Sequence, residues 1–564
     1  MRSNKNRRKV SLWSLLACVL MWVAFLPQST MAAEDGKSEA VIRGTVRSSD
    51  GTALYGIFVR ARGVGKSSTT YVYTDDKGIY EFPPLPLGAY QVSVGIAWKQ
   101  TVQLAPSGAT QDFIVELGPG LVNQVTGTSL LKVIPGSEEE KTRLGLDCVP
   151  CHQSTRWFAH APSTPDGWDA IVKRMLSIRL SEEDWFPPTQ HADHPMHDYY
   201  KAAYSPERMQ ALTEFLIQNI TPETMNEYAA RALVRPTGEA AKAVFTEWDL
   251  PPEIQSANAV LPDPDGILWF IAGGNSVGRL DPRTGETDIW KAPGVASNSR
   301  FHDLDIDKNR DLWITASMID KIYKFDVRTH KFTFWDTSTT GVGWTYPAGP
   351  DAGTRTTYPH TAGFDKAGNY WITAMGGADS GVVKLDPRTG TLTKFNVPTK
   401  WAFTYGLEVD QKDNVWFAEH QANKIGKIDP AGKLTEYPVP TPFDLPRRIR
   451  VDSKGRPWFT ESGVPAHIAM LDPVTGKISE YEYGIPTGYP YWIRIDKFDK
   501  IWFNSAEGNM IGKFDPETKK FVLFPYPRSE TRSINGFVDN RSDPIAVLYP
   551  VPGRPAVARM YVRP

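Results

Sequence analysis

Between residues 40 and 118, apolar and polar positions alternate in short runs such as Val41-Ile42-Arg43-Gly44-Thr45-Val46 and Ile57-Phe58-Val59-Arg60-Ala61, parted by turns such as Ser49-Asp50-Gly51. A period of two lays one face of each run on a core, so the segment is predicted to be a small β-sandwich. From 135 to 225 the period changes. Ile171, Val172, Met175 and Leu176 follow Thr164-Pro165-Asp166-Gly167-Trp168, and Met209, Leu212, Phe215 and Leu216 follow Ser205-Pro206-Glu207. Spacing near 3.6 behind a cap and a first-turn proline predicts helices, and Ser137-Glu138-Glu139-Glu140 starts another. Such a small, loop-rich helical domain is expected to need a cofactor to order it.

The segment 240–564 repeats. Trp269, Trp313, Trp371, Trp416, Trp458 and Trp502 each stand in a strand such as Asn414-Val415-Trp416-Phe417-Ala418, with spacings of 44, 58, 45, 42 and 44. Each is followed by a strand ending in an Asp turn, such as Val383-Lys384-Leu385-Asp386-Pro387-Arg388-Thr389-Gly390, and then by an alternating outer strand, such as Leu434-Thr435-Glu436-Tyr437-Pro438. A period near 44 with four strands per unit predicts a β-propeller. Val244–Pro251 reads as an outer strand with no blade before it, and Gly536–Val562 as the inner strands of a blade lacking one. Pairing them closes a seven-bladed ring and leaves no open sheet edge. The fold class expected is therefore multidomain and mainly β: sandwich, helical domain, seven-bladed propeller.

Residues 1–33 bring in export. Arg2, Lys5, Arg7, Arg8 and Lys9 precede an apolar run from Val10 to Leu26, then Pro27 and the small residues Ser29-Thr30-Met31-Ala32-Ala33. This pattern reads as a signal peptide, placing the mature chain in the periplasm. An uncleaved anchor and lipid attachment at Cys18 are the alternatives. The formal net charge is −1, and removal of the leader makes the mature chain mildly acidic, which argues against binding nucleic acid through its phosphates. Of the 3 cysteines, Cys148 and Cys151 alone remain after cleavage, so no disulfide framework exists beyond one local bridge.

Those two thiols lie in Cys148-Val149-Pro150-Cys151-His152. Thiols three positions apart can form thioethers to the vinyl groups of haem, and the following imidazole then meets the iron. A redox dithiol would want a βαβ setting, and zinc would need ligands from a chain without further cysteine. The motif therefore predicts covalent haem c with His152 as one axial ligand. For the sixth ligand the candidates are Met175 and Met196, with His160, His191, His194 and His197 as alternatives.

In a propeller the innermost strands face the axis. Five residues before the turn aspartates Asp263, Asp307, Asp365, Asp410, Asp452 and Asp496 stand Asn258, His302, His360, Tyr405, Arg447 and Tyr491, all polar or amphipathic. Three after each Trp come Ala272, Ala316, Ala374, Glu419, Glu461 and Ser505. These two sets are expected to line the channel, with His302, His360, Glu419 and Glu461 able to do acid–base work or hold a divalent metal.

Three stretches resemble known families. Thr74-Asp75-Asp76-Lys77-Gly78-Ile79-Tyr80-Glu81-Phe82 with Leu85-Pro86-Leu87-Gly88-Ala89-Tyr90 is similar to carboxypeptidase regulatory-like domains, which implies a spacer or docking module without chemistry. Val415-Trp416-Phe417-Ala418-Glu419-His420-Gln421-Ala422-Asn423-Lys424-Ile425-Gly426-Lys427 resembles virginiamycin B lyase, which implies a seven-bladed propeller that opens a lactone by magnesium-assisted elimination. Of that family's site, the base-like histidine carries over, at His360 in Tyr358-Pro359-His360. The helical segment resembles a c-type cytochrome domain.

Three functions are thus expected in order: electron transfer coupled to oxidation or binding of a small molecule at the propeller centre, with a redox partner protein; a lyase for lactone or ester C–O bonds; and a binding module without catalysis.

Overall fold

The computed structural model describes residues 38–95, 98–116, 129, 131–147, 162, 164–179, 194, 197–203, 205–232 and 235–564, the last span without 274, 296–300, 341–343, 346–354, 378, 486, 529–532 and 552. The leader, with Cys18, lies outside the described residues. None of the described helices is long and apolar enough to cross a membrane.

The alternating segment forms two facing sheets. One joins Ile42–Ser48 to Ile79–Glu81 and Phe113–Val115, and the other runs Ser68–Tyr73, Phe58–Gly63, Gly88–Val94, Trp98–Leu104. Ile42, Val46, Val59, Val72, Tyr80, Val92 and Leu104 fill the space between them. The Asp75 turn works as its sequence suggests: the carboxylate accepts the amides of Lys77 (2.9 Å) and Ile79 (2.8 Å), and Gly78 takes the left-handed φ of 73°.

The helical segment comprises Glu138–Asp147, Pro165–Arg179, His197–Ala203, Pro206–Asn219 and Pro222–Ala232, running past the expected limit at 225. Ser137 and Glu140 form a reciprocal cap (2.8 and 3.2 Å). Leu144, Trp168, Val172, Met209, Leu212, Phe215 and Leu216 share one core, and Trp168 Nε1 donates to the Ile220 carbonyl (3.0 Å).

Six four-stranded blades follow, with innermost strands Ala257–Pro262, Phe301–Ile306, Pro359–Phe364, Thr404–Val409, Pro446–Val451 and Pro490–Ile495. The seventh pairs Phe537–Asp539, Ala546–Val551, Ala556–Val562 and the early strand Ala243–Asp249, with Phe245 opposite Met560. The end of the chain is thereby sewn to the start of the propeller. The long spacing between Trp313 and Trp371 is an insertion holding the hairpin Trp344–Thr345 with Arg355–Thr356.

The repeated Asp and Trp are one device. In each of the six blades the turn carboxylate accepts the indole Nε1 of the Trp on the next strand, from Asp263 to Trp269 (3.1 Å) through Asp410 to Trp416 (2.9 Å) to Asp496 and Trp502 (2.8 Å). The glycine of Ile425-Gly426-Lys427 is dictated by packing, since a Cβ there would overlap the ring of Phe417.

The sandwich is not a detached spacer. Its strand Ser68–Tyr73 pairs antiparallel with Ala243–Asp249, so the seventh blade continues into the sandwich as one eight-stranded sheet. Side chains lock the junction: Tyr71 OH and Arg528 Nε both donate to Glu247 (2.8 and 2.9 Å), and Arg62 pairs with Asp249 (2.6 Å). The outer strand of the last blade thus has its free edge covered.

Candidate functional site

Every inner strand of the six blades carries a bulge near its start, for example between Phe301 and Leu304 and between Pro446 and Ile449. A bulge sets two residues opposite one, so the strict alternation of facing is broken. In three of these strands the second of two consecutive side chains, Asp303, Thr361 or Arg448, then meets partners from other blades.

The first of each pair forms the expected ring. Asn258, His302, His360, Tyr405, Arg447 and Tyr491 are all buried. The rings of His302 and His360 lie 3.8 Å apart, and His360 lies 4.1 Å from Tyr405. The hydroxyls of Tyr405 and Tyr491 are hydrogen-bonded. Asn258 Nδ2 donates to the Phe301 carbonyl (2.9 Å). Arg447 donates to Ser462 Oγ (2.8 Å), to Tyr405 OH (2.9 Å) and to Tyr489 OH, with its guanidinium over three tyrosine rings at 4.4–5.0 Å.

The electrostatics follow from burial. Desolvation, then the neighbouring His302 and Arg448, push the His360 pKa well below the ordinary imidazole value, so this ring is neutral at neutral pH. The Tyr405 carbonyl lies 3.3 Å from His360 Nδ1. The Thr361 hydroxyl lies closer to the same nitrogen, at 3.0 Å, so Nδ1 is held by two neighbours. Burial also holds the Tyr405 phenol protonated. Arg447 brings a fixed positive charge to the ring, and its hydrogen bonds to Ser462, Tyr405 and Tyr489 all go to hydroxyls.

The second of each pair forms a layer beneath, which counting to the first position alone does not reveal. Arg448 is fully buried and donates to Asp303 (3.3 Å), Thr361 (2.5 Å) and Asn535 (3.0 Å). Asn535 in turn donates to the carbonyls of Asn258 and His302 (3.2 and 2.8 Å). Gly406 stands at the same position one blade earlier, where a Cβ would meet the backbone of Arg447 and Arg448. The signal was in the sequence: four residues before the turn aspartates, Asp303, Thr361 and Arg448 are polar where Ala259, Gly406 and Trp492 are not. Deeper still, Asp305 accepts from Tyr370 OH (2.8 Å), and burial with the nearby Asp303 raises its pKa to about 7.

Above the ring lies an aromatic collar. Tyr358, Phe403 and Tyr489 each precede an inner strand and hold positive φ (46°, 53° and 50°), which no β-carbon-bearing residue adopts cheaply. They pack with Met375, Tyr405 and Tyr491. His420 packs at a tilt against Tyr405 (5.4 Å) and, like His360, has its pKa lowered by burial, with Arg447 adding to it. The helical segment reaches this same face: His194 Nε2 bonds Gln421 Oε1 (2.9 Å) and its ring lies 5.4 Å from Trp401.

Glu419 and Glu461 do not join the ring. Both are fully buried at the ends of second strands, and their charged neighbours lie in their own blades. Glu419 pairs across the ladder with Lys424, which is bound to Glu436 (2.7 Å); burial, then Glu436, raises the Glu419 pKa to about 8. Glu461 faces His467 and Asp444 instead. The reason is register: each ends a second strand, opposite Thr404 and Pro446, where its charged neighbours come from the same blade. Cys148, Cys151, His152 and Met196 lie outside the described residues, as do His160 and His191; Met175 falls in the helix Pro165–Arg179.

Comparison with known proteins agrees with this architecture. No curated protein matches the chain. A streptogramin B lyase structure is similar at 22% identity with a TM-score of 0.50, covering 58% of this chain and 100% of that one. A selenomethionine-substituted virginiamycin B lyase from Staphylococcus aureus aligns at 18% identity and a TM-score of 0.49, covering 57% of this chain and 100% of its own. Residues 41–117 match the family model of the carboxypeptidase regulatory-like domain, and residues 338–536, which hold His360, Tyr405, Arg447 and Tyr491, match that of the virginiamycin B lyase family.

Proposed function

We propose that the protein is an exported c-type haem protein whose propeller axis binds a small anionic molecule and whose helical domain exchanges electrons with it. The observation that carries this reading is Arg447: a buried guanidinium held by hydroxyls and tyrosine faces, beside neutral imidazoles, on the face where His194 brings the helical domain to Gln421. A buried cation whose hydrogen bonds go to neutral groups favours an anionic ligand such as a carboxylate or phenolate.

The side chains then have defined work. Arg447 anchors the anion, and Tyr405 and Tyr491 orient it by hydroxyl contacts. His360, kept neutral by burial and held at Nδ1 by Thr361 and the Tyr405 carbonyl, takes a proton from the ligand, with His302 adjacent. Tyr358, Phe403 and Tyr489 exclude water. Cys148, Cys151 and His152 would hold the haem, with Met175 or Met196 as the sixth ligand; this donor set suits covalent attachment. Haem, when bound, supplies one-electron redox chemistry.

The magnesium ion that the lyase resemblance implies does not fit the axis. A hard cation wants oxygen ligands, mostly carboxylates. The ring offers imidazoles, phenols and a guanidinium, and Asp303 beneath is engaged by Arg448.

The test is a reduced-minus-oxidised visible spectrum of protein made in a haem-maturing, export-competent host, followed by a screen for small acids that reduce it. A cycling haem absent from Cys148→Ser, and reduction weakened at least tenfold by Arg447→Met, are expected. Colourless protein with both thiols open to alkylation would remove the redox role. The second reading, a C–O lyase using His360 as base, is favoured by the family match over 338–536. It requires product formation without haem reduction, abolished by His360→Ala.

A further inference from the structure

The blade that carries Arg447 holds a second cluster, apart from the axis. Asp444 lies on the connection leading into the strand Pro446–Val451, Glu461 ends the strand Pro457–Glu461, and His467 begins the strand His467–Leu471 directly opposite Glu461 in the ladder. All three are buried, with Asp444 and Glu461 at 0% exposure. His467 Nδ1 lies 2.6 Å from Asp444 Oδ2 and 3.7 Å from Glu461 Oε2, and one ligand atom from each residue falls within 4.8 Å of the others.

The polar accounting does not close within the protein. Both carboxylate oxygens of Glu461 and Oδ1 of Asp444 are buried without a hydrogen-bond partner. A buried carboxylate left so is costly, because it has given up its water without gaining a partner. The neighbouring blade supplies an internal comparison. There the equivalent Glu419 is likewise buried without a hydrogen-bond partner, but its cross-ladder neighbour is Lys424, which is bound to Glu436. In the Arg447 blade the lysine is replaced by an imidazole, and a second carboxylate is added. Glu480, the counterpart of Glu436, is occupied by the amide and hydroxyl of Thr441 (3.1 and 2.7 Å) and so does not complete the set. Gly463 keeps the approach tight, since a Cβ there would overlap Asp444.

We propose that Asp444, Glu461 and His467 bind a first-row divalent transition metal of the zinc class. One imidazole and two carboxylates make a three-ligand set of the kind zinc uses with an open fourth position, and bonds of about 2.0–2.2 Å bring such ligand atoms to roughly 3.3 Å of one another. His467 turns Nδ1 to the metal once its proton is displaced, while both orphaned carboxylates acquire a partner. The ion would also fix the corner Glu461-Ser462, and Ser462 Oγ is the hydroxyl that holds Arg447 Nε (2.8 Å). The metal is therefore a brace beside the axial ring, and the inference stands whether or not the axis binds an anion.

The experiment uses the full-length, untagged protein, stripped with chelator and titrated with Zn²⁺ alone by calorimetry, and with Co²⁺ followed by visible absorption. One equivalent bound with micromolar or tighter affinity, and the absorption bands of a four- or five-coordinate Co²⁺ site, are expected. Glu461→Gln and Asp444→Asn keep side-chain volume and should each weaken binding at least tenfold, as should His467→Ala, while Glu419→Gln should bind as the parent does. Circular dichroism separates failure to fold from failure to bind. Absence of a stoichiometric site in folded parent protein, or equal affinity in folded Glu461→Gln and Asp444→Asn, would overturn the proposal.

Discussion

Replacing Arg448 by methionine keeps most of the side-chain volume and removes the charge at the centre of the propeller. Arg448 is fully buried and Asp303 is 3% exposed, so neither can turn to water when its partner is lost. Three hydrogen bonds go, at 3.3 Å to Asp303, 2.5 Å to Thr361 and 3.0 Å to Asn535. Breaking one side of a buried pair costs about 3–5 kcal/mol, because the remaining charge stays uncompensated. The loss should appear as a lower midpoint in guanidinium unfolding, followed by tryptophan fluorescence of the propeller transition. The pH dependence carries the mechanism. Burial would raise the Asp303 carboxyl, but Arg448 holds it below its ordinary value, so the parent gains from this carboxylate above the unfolded pKa and loses that gain as pH falls. Without Arg448 the carboxyl protonates readily, so the gap between parent and variant should narrow from pH 7 to pH 4. Asp303→Asn in the same background should recover part of the loss, giving a coupling of about 1–3 kcal/mol. A penalty under about 1 kcal/mol, or single effects that simply add, would refute the view that this pair organises the axis.

Other expectations follow the same logic. Glu419→Gln should leave stability at pH 5 nearly unchanged and raise it by about 4 kcal/mol at pH 9: the folded pKa of about 8 lies above the unfolded 4.5, so the parent loses stability as pH rises through that window. A flat difference across pH in calorimetric melts would count against it. Gly426→Ala places a methyl in the Phe417 ring and should cost about 1–3 kcal/mol, read from the same melts. Glu247→Gln weakens the bonds from Tyr71 and Arg528 and should speed hydrogen exchange in Ser68–Tyr73 at least tenfold; unchanged protection would mean the sandwich is held by its ladder alone.

How much of this was legible depended on whether a residue's place is set by its own strand. The Trp-to-Trp period, the Asp turns and the orphan strand at 244–251 are local patterns, and the propeller with its sewn seventh blade follows because an unpaired edge and an incomplete blade solve each other. The axial ring was legible too, since Asn258, His302, His360, Tyr405, Arg447 and Tyr491 occupy one register position in strands that must all face one axis. Sequence did not place Glu419 and Glu461, because equal spacing says that residues are equivalent but not which neighbours they meet.

Only the tertiary structure decided the rest. The bulges bring Asp303, Thr361 and Arg448 to the axis beside their neighbours, an effect of one unpaired residue per strand that period-two reasoning excludes. The union of Ser68–Tyr73 with Ala243–Asp249 joins segments some 170 residues apart through backbone hydrogen bonds, which leave no mark on side-chain pattern. The meeting of Asp444, Glu461 and His467 likewise rests on a connection, a strand end and a strand start converging in space. Sequence specifies what each strand buries; the long-range closure of the chain specifies which buried groups must then answer one another.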